Sequence, residues 1–241
     1  MEILAAFLGR KMTEPALTIL KQHLDAFDDL RDVQVQLAFV HQLVSERPEA
    51  KRFATYLLKR QRRYAKQTRK KIRGIKTRPL ARCVEACSDQ LQALQERLSQ
   101  RRAAALLERA VDRAFQRVRQ LRRAIDPDNS ATIHRTRLAF KRFRYMVEAL
   151  SPLLPWVKKS QFTAMRDFQT IMGDIQDIEV LLASLARFKA KKKLKSEETA
   201  GLRSLLLEHR DRSITRCMES LHVLESFWTS ERDSTAHHPD P

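Results

Sequence analysis

Residues 133–145 read IHRTRLAFKRFRY, which sets a histidine, an arginine and a lysine at steps of three and four: His134, Arg137 and Lys141. Placed on a helix, these three share a stripe about 100° wide with Arg144, Tyr145 and Glu148, while Ile133, Phe140, Phe143, Met146, Val147 and Leu150 fall on the opposite side. One face is built to pack and the other presents charge. A solvated helix usually mixes signs in i,i+4 pairs, but Glu148 is the only acid on this stripe, and like charges at that spacing cost about 0.2–0.5 kcal/mol each. Such a line suits the holding of an anion: arginine offers planar permanent forks, lysine a point charge, and the imidazole one further donor.

The same register occurs twice more. Residues 51–78 hold thirteen Lys or Arg and no acid, and Lys59, Arg62 and Lys66 repeat the spacing of the first stripe, continued by Arg69, Lys70 and Arg73. His209, Arg212 and Arg216 repeat it near the C-terminus. Aligning FATYLLKRQRR (53–63) with LRSLLLEHRDR (202–212) pairs Arg60 with His209 and Arg63 with Arg212.

The whole chain agrees with an anion partner. It has 47 Lys+Arg against 29 Asp+Glu, a net charge of +18 and a pI near 10.4, a self-repelling surplus that a polyanion would offset. The candidates are nucleic acid, an anionic membrane surface and polymeric phosphate. No run approaches the 18 or so apolar residues of a membrane span, and ILAAFLG (3–9) lacks the basic flank of a signal peptide. Three cysteines, Cys83, Cys87 and Cys217, leave an odd thiol under any pairing, which points to a reducing, cytoplasmic setting. No phosphate-cradling GxxxxGK[ST], nucleophile elbow or HExxH occurs, and Glu219 with His222 is half of what a bundle di-metal site needs. The expectation is a protein that is not an enzyme and takes no cofactor or metal.

The elements that must carry these stripes are helices. Only 4 glycines occur among 241 residues, and Ala, Leu, Arg, Gln, Lys and Glu are abundant. Apolar residues recur at helical spacing, interrupted near Thr13–Pro15, Asp28–Asp29, Pro48, Gly74 to Pro79, Ser99, DPDNS (126–130), Pro152 to Pro155, Gly173 and the lysine-rich 189–195. This predicts an all-α fold of about nine helices, with 189–195 a solvated connector and a disordered tail over 230–241. Sliding the sequence by 145 residues lays DLRDVQVQLA (29–38) on DIQDIEVLLA (174–183), with Asp29/Asp174 and Asp32/Asp177 in register. The repeat predicts two similar helical bundles, over 1–100 and 101–229. Each D-x-x-D precedes an apolar-periodic run and reads as a capped helix start.

At HRTRLAFKRFRYMVEAL (134–150), DDLRDVQV (28–35), GDIQDIEV (173–180) and LESFW (224–228) the chain resembles the CHAD domain family, the conserved histidine α-helical domain. The resemblance implies duplicated antiparallel bundles of roughly four helices each around a basic central groove or pore. It also implies non-catalytic binding of inorganic polyphosphate and, in some members, association with polyphosphate granules. Carried over by motif, the phosphate-facing residues would be His134, Arg137, Lys141, Arg142 and Arg144, with Arg60, Arg63, His209 and Arg212 on the helix after each D-x-x-D. Arg31 matches the family's arginine before the second Asp, where the later copy has Gln176. The 145-residue offset places Met1 opposite Met146, so the first half is expected either to lack its N-terminal basic helix or to have it upstream of Met1 in a longer protein. Nucleic acid is the competing polyanion, disfavoured because only Tyr145 and Tyr64 interleave the stripes as base platforms; a scaffold for acidic proteins is the third reading.

Overall fold

The computed structural model describes residues 2–228 apart from Glu46. Among them are nine α-helices: α1 (Glu2–Leu8), α2 (Arg10–Asp25), α3 (Asp28–Leu43), α4 (Pro48–Arg73), α5 (Arg78–Gln95), α6 (Gln100–Arg122), α7 (Ser130–Leu150), α8 (Lys159–Lys192) and α9 (Glu197–Ser220). Short 3-10 turns follow α7 and α9. No strand occurs among the described residues, and the fold is all-α. The tail expected to be disordered, 230–241, lies outside the described residues.

Local chemistry accounts for most boundaries. Pro48 opens α4, where its missing N–H has no helical partner to lose. The Ser99 hydroxyl accepts the Arg102 N–H at 3.4 Å to start α6, and Asn129 Oδ1 accepts the Ala131 N–H at 3.2 Å to start α7. Two expected breaks are absent. The chain turns at Gly9, whose φ of 75° is in the left-handed region, and α2 then runs through Thr13–Pro15. Pro15 removes one intrahelical hydrogen bond without ending the helix. Gly173 does not break α8 either: Met165, Phe168, Met172, Ile175, Ile178, Leu181, Leu185 and Phe188 form one buried stripe at steps of three and four through it. Burying such side chains stabilises by about 1.5–3 kcal/mol each, which outweighs the roughly 1 kcal/mol that a mid-helix glycine costs.

The chain divides into two compact units that interleave along the sequence. Among the described residues the first comprises 2–13, 86–173 and 213–228. Its core is aromatic: Phe140 of α7 lies with its ring centroid 4.9 Å from Phe168, 5.5 Å from Phe227 and 5.9 Å from Phe143. The closing LESFW segment is fixed on α6. Trp228 Nε1 donates to Asp112 Oδ1 at 2.7 Å, and Glu225 takes Arg119 and Arg122 at 3.0 and 2.9 Å.

The second unit comprises 14–85 and 174–212. Its core gathers Val33, Val40 and Leu43 of α3, Phe53 and Leu57 of α4, Ile178, Leu185 and Phe188 of α8, and Leu202 and Leu206 of α9. The three α3 positions and the three α8 positions are 145 residues apart, one by one, so the segments aligned by the repeat bury the same register in one core.

Phe140 is 0% exposed and Leu138, on the same helix, is 49% exposed. Phe140→Ala should therefore cost about 3–5 kcal/mol in urea unfolding and Leu138→Ala under about 0.5 kcal/mol. Equal losses would contradict this assignment of the α7 faces.

Candidate anion-binding site

The start of α7 is held two residues ahead of the motif. Thr132 Oγ1 donates to the Asn129 carbonyl at 2.7 Å and accepts the Asp126 N–H at 3.0 Å, fixing the DPDNS turn from which His134 follows. His134 and Arg137 are half-buried. The Arg137 guanidinium lies over the backbone of α8 at Gly173, where an added Cβ would come within 3.4 Å of Nε and 3.6 Å of Nη2. An alanine would thus meet the motif arginine at ordinary contact distance, and a longer side chain would have to displace it. Arg137 Nε is buried and has no hydrogen-bond partner among the described residues, an orphaned donor beside the Lys141 end of the stripe.

The rest of the stripe divides. Lys141, Arg142 and Tyr145 line a hollow of about 380 Å³ with Leu138 and Ile3. Tyr145 is half exposed, with Lys141 Nζ 5.7 Å and Arg144 Cζ 4.5 Å from its ring centroid. Arg144 differs from its neighbours: it is 7% exposed, donates from Nε to Gln169 Oε1 at 3.0 Å, and pairs through Nη1 with Glu148, which also receives Arg166 at 3.5 Å. Its charge is committed within the protein: the i,i+4 spacing to Glu148 was legible, the contact with Gln169 was not.

In the second unit, α4 and the last turns of α8 enclose a cavity of about 480 Å³. Lys59, Arg60 and Arg63 line it, joined by Lys191 and Lys192, with Tyr56 and Phe188 as its apolar wall. Arg60 is fixed: Nη2 donates to the Tyr64 hydroxyl at 2.6 Å and Nη1 to Ser184 Oγ at 3.2 Å. Burial pushes the Tyr64 phenol up, but hydrogen bonds from Arg60 and Arg63 and the charge of Arg60 bring it below its ordinary value. Arg52, at the edge, is held by Glu198 at 3.0 Å. Lys59, Arg63, Lys191 and Lys192 have no carboxylate partner among the described residues.

The role given to 189–195 as a connector is corrected here. The apolar period of α8 continues through Phe188, so Lys189, Lys191 and Lys192 are helical, and the chain leaves the helix at Lys193, whose φ of 51° is left-handed. The Leu194 N–H closes back on the Lys189 carbonyl at 3.1 Å. Continuing the Leu181, Leu185, Phe188 spacing by one more step was the signal that could have placed Lys191 and Lys192 beside α4.

The remaining expected residues are scattered. Arg62 and Lys66 are exposed on α4 outside the cavity lining. His209 lies edge-on to Phe39 at 5.5 Å, and burial, then Arg212, hold its pKa below the ordinary histidine value. Arg212 is exposed, its Nε 3.4 Å from the Glu208 carbonyl, and Arg216 is exposed in the first unit.

The D-x-x-D aspartates are not helix caps. Asp174 and Asp177 sit in the middle of α8, and the residue preceding α3 is Phe27, which makes no side-chain cap bond. The unbroken stripe of α8 overrides the local start signal. Asp32 is instead pushed up by burial, against the pull of Arg31, and further by Asp177, Asp28 and Asp29. Its repeat counterpart Asp177 is thus close enough to repel it. No group of three or more His, Cys, Asp or Glu among the described residues is placed to hold a metal, and the Glu219–His222 pair forms a backbone contact, His222 Nδ1 lying 2.6 Å from the Glu219 carbonyl.

The family model described as the CHAD domain matches residues 1–186, about three quarters of the 241-residue chain. The chain belongs to the CHAD domain family. Searches of curated proteins and of solved structures returned no match. Phe188, Lys191 and Lys192 lie beyond the matched residues.

Gly173→Ala should be tolerated, whereas Gly173→Leu should displace Arg137 and reduce anion affinity without unfolding the chain; equal affinity in both would remove Arg137 from the site. Because the folded pKa of His209 is depressed, the stability it contributes is full above about pH 6.5 and falls as pH drops through that value toward the folded one. Wild type should lose more stability between neutral and mildly acidic pH than His209→Gln, as read by thermal melts.

Proposed function

We propose that this protein is a non-catalytic binder of inorganic polyphosphate that resides in the cytoplasm and associates with polyphosphate granules. The observation that carries the reading is the cavity of the second unit, where Lys59, Arg63, Lys191 and Lys192 converge without a carboxylate partner among the described residues. Four such cations within one cavity repel one another, and a chain of phosphates supplies the missing negative charge at a spacing that side-chain acids would otherwise fill. The orphaned Arg137 donor on α7 supports a second phosphate contact in the first unit. Family membership points the same way. We read the 145-residue repeat as a duplication.

The α7 stripe favours phosphate over bases. Amide readers such as Asn are absent from the α7 face, and Tyr145 is already flanked by two cations. Nucleic acid would engage the same charges, so the decisive comparison is between polyanions. Titrations with long-chain polyphosphate, single-stranded DNA and duplex DNA at matched phosphate concentration should rank polyphosphate tightest, with a log–log salt slope steeper than about −2. DNA binding as tight as polyphosphate binding would overturn the reading.

Within the polyphosphate titration, Lys191→Glu with Lys192→Glu should weaken binding at least about tenfold. Lys193→Glu with Lys195→Glu, past the end of α8, should change it less than about threefold because those charges act only through solvent. A reversed order would place the ligand elsewhere.

A further inference from the structure

We propose that the α4–α8 cavity is a discrete site for a nucleoside polyphosphate, its phosphates held by Lys59, Arg63, Lys191 and Lys192 and its base set against the Tyr56 ring. The proposal deepens the reading of this cavity as a phosphate site and rests on it. Its volume of about 480 Å³ lies within the range of small-molecule pockets.

The wall decides the ligand class. A bare phosphate chain needs donors on every side and gains nothing from an aromatic surface, which only deprives it of water. Here Tyr56 and Phe188 line the same cavity as the cations. The Tyr56 ring is not a free side chain that could swing aside: it stacks on Phe53 at 6.2 Å and 17° and meets Phe188 at 5.1 Å. Arg60, 5.8 Å from the Tyr56 centroid and tied to Ser184 and Tyr64, fixes the junction between the apolar wall and the charged rim. A ligand with a flat heteroaromatic end and a run of phosphates uses both halves at once, because every base has a face that stacks on an aromatic ring. Lys191 and Lys192 line the cavity from the last turn of α8, so a short phosphate run meets cations contributed by two helices.

The test is calorimetric titration of the full chain with ATP, tripolyphosphate and adenosine in EDTA, which keeps the phosphates free of divalent ions. ATP should bind at least about tenfold tighter than tripolyphosphate, and adenosine far more weakly than either. Tyr56→Leu should bring ATP down to the level of tripolyphosphate while leaving tripolyphosphate unchanged, and Lys191→Glu with Lys192→Glu should weaken both. Tripolyphosphate binding as tightly as ATP, or an ATP preference that survives Tyr56→Leu, would overturn the proposal. Should Tyr56→Leu fail to fold, photolabelling of wild type with 8-azido-ATP replaces it: label on the peptides carrying Tyr56 or Phe188, competed by ATP, supports the site, and label confined to other peptides overturns it. Long-chain polyphosphate titrated in the same buffer separates the two ideas. Polyphosphate binding without an ATP preference ends this proposal alone, and an ATP preference without polyphosphate binding ends the broader reading alone.

Discussion

The buried stripe of α8 is the constraint to which the rest of the structure answers. Eight apolar side chains from Met165 to Phe188 follow one another at steps of three and four; the first three are buried in one unit, and Ile178, Leu181, Leu185 and Phe188 join the core of the other. Each buried side chain contributes an energy several times the few tenths of a kcal/mol lost at each like-charge pair on an exposed face. Helices such as α4 and α7 can therefore carry concentrated positive charge on one side because their other side is sealed: Phe53 and Leu57 on α4, and Ile133, Phe140, Phe143 and Val147 on α7, are all essentially inaccessible to solvent. Packing sets where the cations stand.

The protein's own acids then decide which cations remain available. Glu148 takes Arg144 and Arg166, Glu198 takes Arg52, and Glu225 takes Arg119 and Arg122. These pairs tie side chains to neighbouring elements. Lys59, Arg63, Lys191 and Lys192, which α4 and α8 bring into one cavity, are among the cations that these acids do not take.

The class of fold and the α7 faces were legible from composition and period, because burial of an amphipathic face is nearly a one-dimensional property of a helix. The positions of Phe140, Phe143 and Val147 came directly from that pattern. Local punctuation misled where a long-range stripe opposed it: Gly173 reads as a break and lies inside a helix beside Arg137, and the D-x-x-D signal at Asp174 reads as a cap and lies inside the same helix. Arg144 shows the complementary limit. Its spacing matches the stripe, yet Gln169 and Glu148 engage it, and a partner 25 residues away in sequence leaves no mark on the local pattern. The α4–α8 cavity was half visible, through Lys59, Arg60 and Arg63. The other half depended on where α8 ends, which is fixed by a left-handed residue at Lys193 that carries no glycine to announce it.

The cysteines carry a practical consequence. Cys87 and Cys217 are buried, and burial pushes the Cys217 thiol up to about 11, so at neutral pH only about one molecule in ten thousand holds it as the reactive thiolate. Cys83, on α5, is partly open to solvent. Alkylating reagents therefore have one accessible target in the native chain, and a fluorophore or spin label can be attached at a single known position without removing any cysteine by mutation.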